Sequence, residues 1–331
     1  MSKNSRIFEL RAEGKTYREI SEEVGLSVNA IKKRVQRNKR KFGGASVSGA
    51  TADQETDTDG LWSRAIAGQQ EHAERVAQRR DQSVTVTTPC AIALLSDTHF
   101  GAPGTDYEAA KRDAEIIRDT PGMFAEFHGD GVDNWIVGKL QRLQRGQIVD
   151  FADEWELFLS WLDMLRGSLL WVVSGNHDNW TIALSGFDRV RLALQGTNVL
   201  YHTDQTIFNL HAGPLTYRVK VRHKWKGNSI FNPTHGIETS WERSGDAFDI
   251  GIGGHTHIAT LYREFVKHQK KRFAILTGTY KLHDIFGEQI GFAPPHGNGG
   301  GALVFDRAGR FVWIDNLPQA AELLRLYQVT T

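Results

Sequence analysis

Five stretches of this sequence share one build: a short apolar run ends abruptly in aspartate, asparagine or histidine, in four of them with glycine close by. Ala91 to Leu95 runs into Ser96-Asp97-Thr98-His99-Phe100-Gly101, and Met123 to Phe127 runs through His128 into Gly129-Asp130-Gly131-Val132-Asp133-Asn134. Leu169 to Val173 leads to Ser174-Gly175-Asn176-His177-Asp178, the alternation of Tyr217, Val219 and Val221 leads to His223, and Gly251-Ile252-Gly253-Gly254 leads to His255-Thr256-His257. Short apolar runs bounded by turn residues read as buried strands. In open α/β sheets, ligands bind beyond the carboxyl ends of the strands. Taken singly, each polar end has an ordinary reading: Gly129-Asp130 as a turn, Asn176-His177-Asp178 as a helix cap, His255 and His257 as surface residues. Five in succession, each after an apolar strand, point instead to one convergent site.

Between these runs the spacing predicts helices over residues 107–119 and 151–165, with strands ending near 96, 128 and 174. That βαβα order implies a layered α/β domain with parallel strands, beginning near Val84. Beyond residue 200 shorter strands are expected near 216–223, 248–252, 272–277, 302–306 and 311–314, and the glycine-rich stretch from Pro294 to Gly301 reads as a loop.

The motifs Asp-x-His at 97–99, Gly-Asp-x-x-Asp-Asn at 129–134, Gly-Asn-His-Asp at 175–178 and Gly-His-x-His at 254–257 resemble those of the calcineurin-like metallophosphoesterase family, over roughly residues 90 to 315. The resemblance implies a four-layer αββα sandwich of the α/β class holding two divalent metal ions. One ion would be bound by Asp97, His99 and His257 and the other by Asn176, His223 and His255, with Asp130 between them. Oxygen and imidazole donors without thiolate suit Mn²⁺, with Fe and Zn²⁺ as alternatives, and are too rich in nitrogen for Ca²⁺ or Mg²⁺ cages. Two such ions clamp a phosphate and acidify a bridging water, which becomes the nucleophile. His177 is then the catalytic histidine over the phosphate, acting as imidazolium, and the resemblance makes Asp133 the residue that holds it. His211, after another apolar run, competes with His223 for the remaining ligand position; His223 is favoured because it ends the 217–221 alternation. Asn134 stands where the protein Ser/Thr phosphatases of this superfamily carry an arginine, which argues against a phosphoprotein substrate.

The first 43 residues differ in character, with twelve lysines and arginines against five glutamates. Ile7 and Leu10, then Tyr17, Ile20 and Val24, then Val28, Ile31 and Val35 keep helical spacing, with breaks at Gly14-Lys15-Thr16 and Gly25-Leu26-Ser27. The pattern from Gly14 to Val35 resembles the helix-turn-helix of bacterial and phage regulators, with Ser27 as N-cap of the third helix. The resemblance implies that this helix, running to about Arg40, enters a major groove, with Lys32, Lys33, Arg37 and Arg40 meeting DNA. A basic bundle that packs on protein is the other reading. Residues 43–60 are small and polar and read as a linker. Residues 61–80 read as a helix whose positions Trp62, Ile66, Gln69, Ala73 and Val76 suit packing on the following domain better than a coiled coil. The expected division is therefore a DNA-binding module at 1–43, a linker and connecting helix at 44–83, and a phosphoesterase domain at 84–331.

Of 331 residues only Cys90 is cysteine, so no intrachain disulfide forms and a reducing compartment fits. No stretch reads as a signal peptide or membrane span, and a cytoplasmic protein is expected. Basic and aromatic residues crowd the motif loops: Trp135, Lys139, Arg142 and Arg145, then Trp180, then Arg222, Lys224, Trp225 and Lys226. Basic groups track a phosphate backbone and flat rings stack on bases, so Trp135, Lys224 and Trp225 are expected nucleic-acid contacts. The leading expectation is a phosphodiesterase or nuclease delivered to nucleic acid, DNA rather than RNA, by its first module, a layout that resembles phage or mobile-element proteins. A phosphomonoesterase or small-nucleotide phosphodiesterase is the alternative, and a non-enzymatic DNA-binding regulator a second. Metal identity, strandedness and oligomeric state are left open by the sequence.

Overall fold

The computed structural model describes residues 3–39, 58–227, 229, 231–243, 247–289, 291 and 299–329. The chain divides into two compact units, Met1–Gly68 and Gln69–Thr331.

In the first unit, α1 (Lys3–Ala12), α2 (Tyr17–Val24) and α3 (Val28–Lys39) follow the expected spacing. Thr16 opens α2 with a reciprocal cap: its hydroxyl accepts from the Glu19 amide, and the Glu19 carboxylate accepts from the Thr16 amide at 2.6 Å. Gly25 ends the helix in the left-handed region, at φ 65°, where a side chain would be strained. Ser27 then caps α3, accepting from the Ala30 amide at 3.3 Å. Ile7, Leu10, Ile20, Val24, Ile31 and Val35 form the small core, while Lys32, Lys33 and Arg37 are exposed. Arg40 lies outside the described residues, as does most of the expected linker.

Helix α4 (Thr58–Arg80) begins three residues before its expected start, taking in the end of that linker. Leu61 to Glu74 are exposed and Val76 is half-buried.

The second unit continues with β1 (Ser83–Val86), β2 (Cys90–Leu95), α5 (Tyr107–Asp119), β3 (Met123–Phe127), α6 (Phe151–Leu165), β4 (Leu169–Val173), α7 (Asn176–Ser185), α8 (Arg189–Ala193) and β5 (Leu200–His202). It then runs through β6 (Gln205–Ala212), β7 (Leu215–Arg222), α9 (His235–Arg243), β8 (Ile250–Gly253), β9 (Leu261–Lys267), β10 (Lys270–Leu276), α10 (Ile285–Gln289), β11 (Gly301–Phe305), β12 (Phe311–Ile314) and α11 (Leu317–Val329). Two six-stranded sheets result, in the orders β12-β11-β2-β3-β4-β5 and β1-β6-β7-β8-β10-β9. Strands β2 to β5 are parallel, as are β7, β8 and β10, and β11 runs antiparallel to β2.

Strand β2 explains why the sheets stack. All six of its residues are buried. Ala91, Ala93 and Leu95 face the helices, packing in one core with Ile117 of α5, Phe158 of α6 and Leu324 of α11. Cys90, Ile92 and Leu94 face the second sheet, with Phe208, Val219 and Ile250. A strand buried on both faces has no polar side, which is why it reads as a continuous apolar run. Ile237 of α9 packs with Phe248 and Leu276 on the outer face of the second sheet, completing an α/β/β/α order. No helix among the described residues is long and apolar enough to cross a membrane.

Candidate metal centre

The polar ends of β2, β3, β4, β7 and β8 meet at one edge of the two sheets, and their ligand atoms form two clusters. In the first, His257 Nε2 lies 3.2 Å from Asp97 Oδ1 and 2.9 Å from His99 Nε2. In the second, His223 Nε2 lies 2.9 Å from Asp130 Oδ2 and 3.2 Å from His255 Nδ1. Asp130 Oδ2 is also 3.9 Å from His99 Nε2, so one carboxylate oxygen stands between the clusters. The atoms of Asp97, His99 and His257, and likewise of Asp130, His223 and His255, fall within 4.8 Å of one another.

Each ring is turned by what its other nitrogen meets. His99 Nδ1 donates to Asp133 Oδ1 at 2.7 Å, His257 Nδ1 to Asp284 Oδ2 at 3.1 Å, and His223 Nδ1 to the main-chain oxygen of His128 at 2.9 Å. With Nδ1 engaged in this way, Nε2 is the nitrogen turned toward the cluster in each case. The backbone is held just as firmly. Asp97, His99, Asp130, Asn134, His255 and His257 all have positive φ, six of the eight such non-glycine residues among those described. A left-handed residue with a side chain costs on the order of 1–3 kcal/mol and persists only where its surroundings impose it. Here the imposition is visible: Asp178 accepts from the amides of Asp130, Gly131 and Gly175 at 2.9, 2.9 and 2.8 Å, tying the β3 and β4 loops together. A Cβ at Gly175 would collide with the Asp130 carboxylate, so only glycine permits this approach.

One observation tests whether these residues suit metal ions. Asn176 Oδ1 is buried and has no hydrogen-bond partner, an arrangement that costs about 1–3 kcal/mol unless something accepts its lone pair. A cation beside His223 and His255 would do so, and the mixed oxygen and nitrogen donors fit a transition-metal pair.

Electrostatics separate the histidines. Burial alone depresses His99, reinforced by Lys281, yet the bonds to Asp133 and Asp97 outweigh both and raise it to about 9. His223 likewise rises to about 9, burial being overcome by Asp130 and Asp97. His177 falls to about 4 through burial, and His255 falls to about 4 through burial and the neighbouring His223. Asp97 and Asp130 stay well below the usual carboxylate range, because the charge of His223 overrides their burial.

Several expectations require correction. Asp133 does not hold His177 through its carboxylate: that group binds His99 and Lys281, at 2.7 and 2.9 Å, and it is the Asp133 main-chain oxygen that accepts from His177 Nδ1. Burial holds the His177 ring down to about 4, so the imidazolium expected over the phosphate needs an added negative charge beside it. Its ring is fixed between Trp180, at 4.2 Å between centroids, and Trp135, at 4.8 Å. Trp135 and Trp225 are not open stacking platforms. They are 4% and 7% exposed, their indole nitrogens donating to Asp133 Oδ2 and to the Ile252 oxygen. An indole turned inward to satisfy both its apolar area and its N–H gains more than one left in water. Lys139, Arg142, Arg145, Lys224 and Lys226 remain exposed. His211 bonds Thr216, at the end of the β6–β7 ladder away from Arg222 and His223.

Sequence reasoning missed Lys281 and Asp284, which lie in no motif, and a buried chain behind Asp97. In that chain Glu126 Oε1 meets His128 Nδ1 at 2.7 Å, His128 Nε2 meets Thr277 Oγ1 at 2.9 Å, and Thr277 donates to Ser96, whose hydroxyl donates to Asp97. The signal available was a glutamate inside an apolar strand.

Comparison with solved structures finds Vps29 of Chaetomium thermophilum, 10% identical over 68% of this chain and 93% of that one, with a TM-score of 0.35. A protein of Thermotoga maritima is 13% identical over 68% and 96%, at 0.34. A protein of unknown function from Aquifex aeolicus is 17% identical over 51% and 81%, at 0.31. The search of curated proteins finds no match. Residues 2–42 match the family model described as Sigma-70, region 4, so the N-terminal three-helix unit is similar to that helix-turn-helix family.

Proposed function

We propose that the second unit is a dinuclear-metal phosphoesterase of the calcineurin-like kind and that it hydrolyses phosphodiesters of nucleic acid. The observation that carries this reading is the single oxygen Asp130 Oδ2, placed between the Asp97–His99–His257 and His223–His255 clusters, together with the unpartnered Asn176 Oδ1 at the start of α7. Asp97, His99 and His257 would hold one divalent cation and Asn176, His223 and His255 the other, with Asp130 common to both; Mn²⁺ suits the donor set best. Such a pair supplies charge neutralisation for a phosphate and a lower pKa for an attacking water.

The chain's own residues supply the rest. His177 presents Nε2 about the same centre, 3.9 Å from Asp130 Oδ2, with Nδ1 pinned to main chain. An anionic ester beside it favours the protonated ring, so His177 gains a proton as substrate enters and delivers it to the leaving oxygen. Asn134 positions that residue: its side-chain amide donates to the His177 oxygen and, at 3.1 Å, to Thr181. The exposed Lys139, Arg142, Arg145, Lys224 and Lys226 suit a polyanionic substrate, and the first unit, with Lys32, Lys33 and Arg37 exposed on α3, delivers the enzyme to DNA.

The buried Trp135 and Trp225 favour a second reading, a small-nucleotide phosphodiesterase or phosphomonoesterase, because neither ring is open to stack on a base. Activity with Mn²⁺ on p-nitrophenyl phosphate, bis-p-nitrophenyl phosphate, plasmid and single-stranded DNA separates them. Hydrolysis of the diester and of DNA supports the first reading; turnover confined to the monoester or to small diesters supports the second; none on any of the four defeats both.

A further inference from the structure

We propose that Lys281 is a positioning residue for one metal position only, that of Asp97, His99 and His257, and this rests on the dinuclear reading above. Its side chain is 4% exposed and its ammonium reaches two carboxylates, Asp133 Oδ1 at 2.9 Å and Asp284 Oδ1 at 3.5 Å. Those carboxylates are the ones that turn the rings of that position: Asp133 accepts from His99 Nδ1 and Asp284 from His257 Nδ1. Lys281 thus joins the outer partners of two imidazoles that sit 2.9 Å apart at Nε2.

The need for a cation follows from charge. Asp97, Asp130, Asp133 and Asp284 gather around one small volume, and Asp133 and Asp284 lack any arginine among their bonded partners in the described structure. Without Lys281 the two carboxylates repel, and each ring follows its partner. Lysine suits the place because its charge is compact and its three donors can divide between acceptors in different directions. Its own backbone is anchored to the same centre: the Lys281 amide donates to Thr279 Oγ1 at 3.0 Å, and that hydroxyl donates to the Asp97 main-chain oxygen at 2.9 Å. The other metal position has no such dependence. His223 is oriented by the main-chain oxygen of His128, which carries no net charge and does not touch Lys281.

The effect of losing Lys281 is therefore selective. Losing an outer partner of a metal-binding histidine typically weakens metal affinity about 10–100-fold. The test uses the full chain with Mn²⁺ alone as probe, reading stoichiometry after dialysis, stepwise affinity by calorimetry and the spin-coupled pair signal by electron paramagnetic resonance. Wild type is expected to bind two ions with a coupled signal. Lys281→Met is expected to keep one ion at unchanged affinity, to bind the other about 10–100-fold more weakly, and to show the six-line spectrum of an isolated ion at limiting metal. Asp284→Asn, half-buried and removable without emptying the core, is expected to give the same selective loss and to add little when combined with Lys281→Met; it carries the test if Lys281→Met does not fold. Two ions at wild-type affinity in folded Lys281→Met, or in Asp284→Asn where the first is not obtained, overturn the proposal, as does an equal loss at both positions. A wild type that binds no ion pair overturns the dinuclear reading itself and this proposal with it.

Discussion

His223 Nε2 lies 2.9 Å from Asp130 Oδ2, across the gap between the second sheet and the first. The same ring is fixed behind by the His128 oxygen, so its Nε2 points in one direction only. His223→Ala is expected to lower diester turnover by more than about 100-fold and to reduce bound metal by one ion, measured by elemental analysis. His211→Ala, at the far end of β6, is expected to leave both unchanged. Equal effects of the two substitutions would contradict the placement of the second ion.

Mn²⁺ binds the folded state alone, so it is expected to raise the melting temperature with concentration. At a hundred times the dissociation constant the gain is about 2.7 kcal/mol. A chelator should reverse it, and Asp130→Asn, which removes the oxygen common to both clusters, should show almost none. Differential scanning calorimetry with and without Mn²⁺ decides; a full shift in Asp130→Asn would remove Asp130 from its shared role.

Glu154 has its carboxyl raised to about 7, first by burial, although the Gln144 side chain and the Asn134 amide both donate to it. A carboxyl that is easier to protonate when folded contributes stability below its ordinary value near 4.5 and loses that contribution as pH rises through about 7. The loss across this window is on the order of 3 kcal/mol. Glu154→Gln does not titrate, so in chelated protein its stability should fall less between pH 5 and pH 8 than that of wild type. Urea unfolding at the two pH values tests this, and parallel pH profiles would count against it.

Lys32, Lys33 and Arg37 are exposed along α3. If they meet phosphates, replacing any one by alanine should reduce the slope of log affinity against log salt by about 0.9. Fluorescence anisotropy with a labelled duplex at several salt concentrations reads this directly. A slope unaltered in the triple variant would remove the DNA-facing role assigned to the helix.

How far the sequence reached depended on whether a signal was local. Helices 107–119 and 151–165 were legible because their apolar positions keep helical spacing, and the structure adds the caps Asp106 and Asp150. Asp97, His99, Asp130, His255 and His257 were legible because each follows an apolar strand closely. Lys281 and Asp284 were not: their meaning comes from a loop that crosses back to Asp97, and nothing beside them in sequence reports that crossing. The tryptophans misled for a related reason. Composition says that Trp135 and Trp225 sit among basic residues, but only the fold decides which side of a loop faces inward.

The three amides gathered by Asp178 belong to loops that follow different strands. Neither loop can swing outward alone without stripping a buried carboxylate of its donors, so the Asp130 and Gly175 loops form one opening unit. In hydrogen exchange the Asp130, Gly131 and Gly175 amides should therefore report a single protection factor, and a slow common opening would set the pace at which this centre can be dismantled.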